Sequence, residues 1–190
     1  MINKTQRKYI WLSVIVILLV LIIDQTSKFL VKTNMFFFFF IEVFSWFKIL
    51  FIENNGMAFG MELGSKLFLT IFRIVAITLI GFYIFKLIKN SNKLKKGYLI
   101  SVSLIFAGAL GNIIDCLFYG VIFNAPLFPD IATIFPAEGG YADFMYGRVV
   151  DMLYFPLFSF VWPDWIPFVG GEYFEFFEPV FNIADSAITI

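Results

Sequence analysis

Histidine is absent from the 190 residues, and cysteine occurs once, as Cys116. The first absence removes Ser–His–Asp and Cys–His mechanisms and every histidine-ligated metal. The second removes an intramolecular disulfide framework and any cysteine-built zinc site. Charge is scarce as well. Asp, Glu, Lys and Arg make up 15% of the chain and cancel to a formal net charge of zero, so no global basic field points to nucleic acid. Carboxylates, lysines and hydroxyls remain for chemistry, and no metal or other cofactor is expected.

Apolar residues are what the chain has in excess, at 61% with 28 phenylalanines, where soluble domains hold about half. They are concentrated in long runs, which is the signature of a membrane protein rather than of a large core. The first run, Tyr9 to Ile23, continues through Asp24, Gln25, Thr26, Ser27 and Lys28 to Val31. At 1.5 Å per residue it is long enough for a hydrocarbon core of ~30 Å. Lys4, Arg7 and Lys8 precede it, but no small-x-small cleavage site follows, so it reads as an anchored span and not as a signal peptide.

A second run (67–87) carries Arg73 as its only charge before Lys86, and a third (98–118) is clean until Asn112 and Asp115. Lys86, Lys89, Lys93, Lys95 and Lys96 crowd the loop between them. By the positive-inside rule that loop and the N-terminus are both expected to be cytoplasmic, leaving segments 32–66 and 119–180 outside. The segment 119–180 is rich in Phe, Pro, Gly and Tyr without a 20-residue apolar run, and reads as a small outer subdomain of short strands and turns near the lipid surface. A fourth span starts near Phe181, but the ten residues to Ile190 are too few to cross. The expected fold is therefore an all-α polytopic membrane protein, a four-helix bundle with its last helix cut short, carrying a small extracytoplasmic β-containing subdomain.

This topology brings polar groups from five segments to one depth: Asp24 and Lys28, Arg73, Asn112 and Asp115, Asp151 if its subdomain folds back, and Asp185. Ionisable residues in spans usually pair or serve function, because each costs at least ~2.5–3.5 kcal/mol at the bilayer centre. Structural readings stand beside the functional ones. Asp24 and Lys28 have the i, i+4 spacing of an ion pair. Asn112 and Asp115 could join helices, Arg73 could reach outward to the interface, and Asp185, three residues after Asn182, suits a helix first turn.

Five short motifs add to this picture. Asp24-Gln25-Thr26-Ser27-Lys28 resembles the D-x-x-x-K element of lipoprotein signal peptidases, the signal peptidase II family, and Asn54-Asn55-Gly56-Met57-Ala58-Phe59 resembles its N-x-G-x-A-F motif. Gly108 to Asp115 is similar to the family's G-x-x-G-N-x-x-D block. Gly147 to Asp151 resembles its V-V-D element, and Phe181 to Ser186 its F-N-x-A-D-S element. Each is weak alone, but they occur in family order from the first span to the end of the chain.

The resemblance implies four transmembrane helices, a small β-cradle and an aspartic site on the extracytoplasmic side of a bacterial cytoplasmic membrane. The implied substrate is a prolipoprotein cut just before its diacylglyceryl-modified cysteine, and a monomer in contact with membrane lipid is expected. Carried over by motif, the catalytic pair is Asp151 and Asp185. Asn54, Asn112 and Asn182 would orient substrate and site, Asp24, Lys28 and Asp115 would support it, and Gly56 and Gly108 would permit close backbone approach.

The chain departs from the family pattern where Cys116 replaces an arginine after Asp115, which leaves Arg148 or Arg73 to supply a guanidinium. Long stretches before and after Asp151 read as loop insertions. They leave Asp115 open as an alternative partner of Asp185. A carboxylate pair of this kind shares a proton, one member acting as base and the other as acid. The competing reading is a proton- or cation-coupled transporter, which predicts carboxylates near midplane and an internal repeat, and no such repeat is found.

Overall fold

The architecture is that of a computed structural model, which describes residues 2–54, 65–91, 94–177 and 179–190. Among these residues, three helices are long and apolar enough to cross a membrane: α1 (Lys4–Asn34), α2 (Lys66–Lys89) and α3 (Lys96–Ile122). α1 opens on a capping box between Asn3 and Gln6, and the Ser65 hydroxyl accepts the Phe68 N–H at the start of α2.

The buried residues of α1 are Ser13, Asp24, Lys28, Val31 and Lys32, while Ile15, Leu18, Leu19, Ile22, Ile23 and Leu30 face outward. A water-soluble helix would show the reverse. In lipid the apolar face already has its solvent, so polar groups turn inward to find partners. α3 is the central helix, packed on both α1 and α2. Its buried face includes Ser103, Ala107, Gly108 and Gly111, small residues that allow close packing.

Past Ile114 the helix takes a π turn over Asp115–Tyr119. The wider turn buries Asp115, Cys116 and Tyr119 together. It also leaves carbonyls for another segment to use: Gly147 N–H donates to Cys116 O at 2.8 Å and Met145 N–H to Leu117 O at 3.2 Å. Further along, Ala142 N–H donates to Gly120 O at 3.0 Å. The insertion after α3 is thus tied back onto the helix it left. A Cβ at Gly147 would lie 2.1 Å from Asp115 O, so the approach needs glycine there.

Directly after this docking point begins β3 (Val149–Tyr154), the inner strand of a four-stranded antiparallel sheet. β1 (Phe40–Phe44) pairs with β2 (Phe47–Asn54), β2 pairs with β3, and β3 pairs with the short β6 (Val180–Phe181). Between β3 and β6 a separate ribbon is formed by β4 (Phe158–Val161) and β5 (Tyr173–Phe176). The sheet packs on the C-terminal ends of α1 and α3 through Val31, Met35, Phe51, Tyr119, Phe123, Val150 and Met152.

β6 leads into α4 (Ile183–Thr189), which packs on α3 and α1. The outcome, among the described residues, is three membrane-capable helices with a small sheet subdomain. α4 has seven residues and is not itself long enough to cross.

Candidate active site

Asn182 is the N-cap of α4, and Asp185 is its third residue. Asn182 Oδ1 accepts the Asp185 N–H at 2.9 Å, and the Asp185 carboxylate accepts the Asn182 N–H at 3.3 Å. This capping box fixes Asp185 at the first turn. It also fixes the Asn182 amide, because the oxygen is committed to the helix and the nitrogen must face away. That nitrogen donates to Asp151 Oδ1 at 2.8 Å and lies 3.2 Å from Val150 O.

Asn112 is oriented by the same logic. Lys28 Nζ, which can only donate, gives a hydrogen bond to Asn112 Oδ1 at 2.9 Å. The Asn112 nitrogen is thereby turned to Asp185, donating to its Oδ1 at 2.8 Å. Asn54, at the end of β2, donates to Asp151 Oδ2. Three amides therefore point N–H groups at two carboxylates, and no cation touches either carboxylate among the described residues. Asp151 is 2% exposed. Burial, and then the nearby Asp185 charge, push its carboxyl up from an ordinary 3.8 to about 7, against the pull of the Asn182 and Asn54 hydrogen bonds.

Asp115 is occupied elsewhere. It pairs with Lys28 at 2.8 Å, accepts from Gln25 Nε2 at 2.9 Å, and accepts the Val150 N–H at 3.3 Å. Asp24 pairs with the same ammonium at 2.9 Å and accepts the Ala184 N–H at 2.9 Å, which ties α4 to α1. Gly108 lets α4 approach α3, since a Cβ there would lie 2.2 Å from Ala184 O. Gly56 lies outside the described residues. Arg73 Nη1 donates to Cys116 Sγ at 3.3 Å, so of the two arginines considered from sequence it is Arg73 that meets Cys116.

Three neighbours were missed from sequence. Gln25 bridges Asp24, Asp115 and Gly111 O. Its position inside the first motif was the available signal. Lys32 is fully buried, paired with Glu53, with its ammonium 5.1 Å from the ring centroids of both Phe123 and Tyr141. Its spacing of four from Lys28 places it on the same inward face, and Glu53 adjoins Asn54.

The family model described as Signal peptidase (SPase) II matches residues 16–190. The chain belongs to that family. It is 54% identical over 176 residues to a lipoprotein signal peptidase of Porphyromonas gingivalis, covering 92% of this chain and 76% of that one. It is 40% identical over 188 residues to a lipoprotein signal peptidase of Amoebophilus asiaticus, covering 95% and 74%. A solved bacterial membrane enzyme superposes with a TM-score of 0.57 at 25% identity, covering 93% of this chain and 84% of that one. These findings give the transporter reading no support.

Proposed function

We propose that Asp151 and Asp185 form the catalytic dyad with which this chain removes the signal peptide of prolipoproteins, cutting before a diacylglyceryl-modified cysteine. The observation that carries this assignment is the set of amides around the pair. Asn54, Asn112 and Asn182 hold both carboxylates without neutralising either. Two neighbouring carboxylates with no cation against them, as here among the described residues, share one proton. Burial favours Asp151 as the carrier.

In the proposed cycle Asp185 takes a proton from water as the water oxygen attacks the scissile carbonyl carbon. Asp151 gives its proton to the carbonyl oxygen, yielding a gem-diol. The C–N bond then breaks as Asp185 returns its proton to the departing nitrogen, and a gem-diol hydroxyl re-protonates Asp151. Water is the only co-reactant. The three asparagines keep the carboxylates at fixed angles, Asp24, Lys28 and Asp115 support them, and Gly108 permits the close approach of α4 to α3.

The topology read from the lysine-rich loop supports a cytoplasmic N-terminus and an extracytoplasmic dyad in a bacterial cytoplasmic membrane. In this reading α4 starts the fourth helix of a bundle, the working unit is a monomer, and the substrate's acyl chains bring its cysteine laterally through lipid to the depth of the dyad. The test is cleavage of a lipid-modified preprolipoprotein by purified protein. Asp151→Asn and Asp185→Asn should each lower the rate by at least about 10³-fold while membrane insertion persists. Wild-type turnover by Asp151→Asn would end the assignment.

A further inference from the structure

Residues 155–177 interrupt the sheet between β3 and β6 and contain no lysine or arginine, only Asp164, Glu172 and Glu175 as charges. Their ribbon is two-faced. Strand periodicity puts alternate side chains on opposite sides, and the register pairs Phe158 with Phe176 and Phe160 with Phe174. These rings meet at 4.8 and 5.1 Å, and Trp162 joins them, 4.8 Å from Phe160 and 5.8 Å from Phe174. The opposite face pairs Ser159 with Glu175 and Val161 with Tyr173, whose hydroxyl donates to Glu175 at 3.1 Å.

Among the described residues nothing covers the aromatic face fully: Phe158 is 53% and Phe176 45% exposed. At the tip Trp165 is 80% and Phe168 100% exposed. The tip is nonetheless an organised turn. Gly171 N–H donates to Trp162 O at 2.9 Å and Gly170 N–H to Ile166 O at 3.0 Å. Phe168 has φ 71°, a conformation that is costly for a non-glycine residue and that here projects the ring outward.

A lone two-stranded hairpin is marginal in water. Its root gives the direction of the missing support. Phe155 stacks on Phe47 and Phe181, and Phe177 packs on Phe181, one residue before Asn182. The ribbon therefore springs from the sheet that packs on the C-terminal ends of α1 and α3.

We infer that the β4–β5 ribbon is an interfacial anchor, with its aromatic face and the Trp165–Phe168 tip seated at the headgroup–acyl boundary of the bilayer that α1–α3 cross. Trp, Tyr and Phe at this level are favoured by such a boundary. The absence of cations and the presence of three acids suit a zwitterionic surface rather than an anionic one. Because the ribbon's two roots flank β3 and β6, seating it sets the height of Asp151 and Asp185 against the lipid. The anchoring itself does not depend on which residues are catalytic.

The test uses the full chain in zwitterionic phosphatidylcholine nanodiscs, with Trp11, Trp46 and Trp162 replaced by Phe so that Trp165 alone emits. Lipids brominated near the headgroup end of the acyl chains should remove most of the Trp165 emission, while aqueous acrylamide should remove little. A variant keeping only Trp11, on the lipid-facing side of α1, is the positive control. Trp165 that responds to acrylamide but not to brominated lipid, while Trp11 responds to lipid, overturns the proposal. So does a Trp165 shielded from both quenchers in a concentration-dependent way, which would mean that a second copy of the chain covers the ribbon. As an independent measurement, Phe168→Cys in the otherwise unaltered chain can carry a polarity-sensitive dye, since Cys116 is buried. Blue-shifted emission is expected, and water-like emission from folded protein overturns the inference.

Discussion

The Asp24–Asp115 pair and the Asp151–Asp185 pair use the same side chain in neighbouring parts of one polar layer, yet they are prepared for different tasks. Lys28 sits between the first two at 2.9 and 2.8 Å, fully buried with them. A buried ammonium shared by two carboxylates keeps all three charged groups committed to one another, with Gln25 and two backbone N–H groups filling the remaining lone pairs. Among the described residues the second pair receives only neutral amide N–H groups. Burial and the Asp185 charge raise the Asp151 carboxyl to about 7, against the pull of its amide partners and the more distant Lys28. A cation thus makes a joint of one pair, while in the proposed reaction the other, touched by amides alone among the described residues, exchanges protons with the substrate.

Exchanging single residues between these environments should break the comparison most severely in turnover. Asp115→Asn is expected to reduce cleavage per folded molecule by no more than about tenfold, against at least about 10³-fold for Asp151→Asn. Steady-state processing rates normalised to folded protein measure both, and a folded Asp115→Asn protein as inactive as Asp151→Asn would erase the distinction.

Next in size is Lys28→Met, which strands Asp24 and Asp115 and should cost about 3–5 kcal/mol in unfolding measurements in detergent. Because Lys28 also orients Asn112, activity should fall in the molecules that remain folded.

The pH dependence of stability sharpens the contrast from the other side. Asp151 in the folded chain keeps its proton up to about 7, whereas an ordinary carboxyl releases it near 3.8. Between those values the folded state binds more protons than the unfolded state, so stability is lost as pH rises, by up to about 1.4 kcal/mol per unit and about 4 kcal/mol in all. Asp151→Asn should remove this slope when thermal unfolding is compared from pH 4 to pH 8. Cleavage by the wild type should also decline above about pH 7 as the shared proton is lost.

The smallest expected effect is that of Gly108→Ala. Its methyl group would press on Ala184 O, 2.2 Å away, and on Ile188 Cγ1, 2.7 Å away. Forcing α4 from α3 should cost about 1–3 kcal/mol and lower kcat by loosening Asp185 from Asn112, while the α1–α3 ion pairs persist. Unfolding and turnover measured on one preparation separate the two consequences.

Three long apolar runs were enough to read three membrane-capable helices, because lipid asks of a span only length and apolarity. The motif order was enough to gather Asp24, Lys28, Asn112, Asp151, Asn182 and Asp185 into one candidate site and to indicate the family. Sequence spacing also held the Asp24–Lys28 pair and the Asn182–Asp185 cap, since both lie within one or two turns of a single helix.

What lay beyond the sequence was every relation across elements. Whether Asp115 or Asp151 would approach Asp185 was open, because a long insertion separates Asp151 from α3. The π turn, whose carbonyls capture the N–H groups of Met145 and Gly147, brings β3 back to the helix, where Asn182 reaches Asp151 while Asp115 pairs with Lys28. The directions of the Asn112 and Asn182 amides depend on Lys28 from α1 and on the α4 cap, partners distant along the chain. Lys32 was unmarked because only the folded chain brings Glu53 and two rings around it. Local chemistry decided which segments enter the membrane and which residues can carry protons. Which of those residues pair with a cation, and which meet amides instead, follows from partners that only the tertiary structure brings within reach.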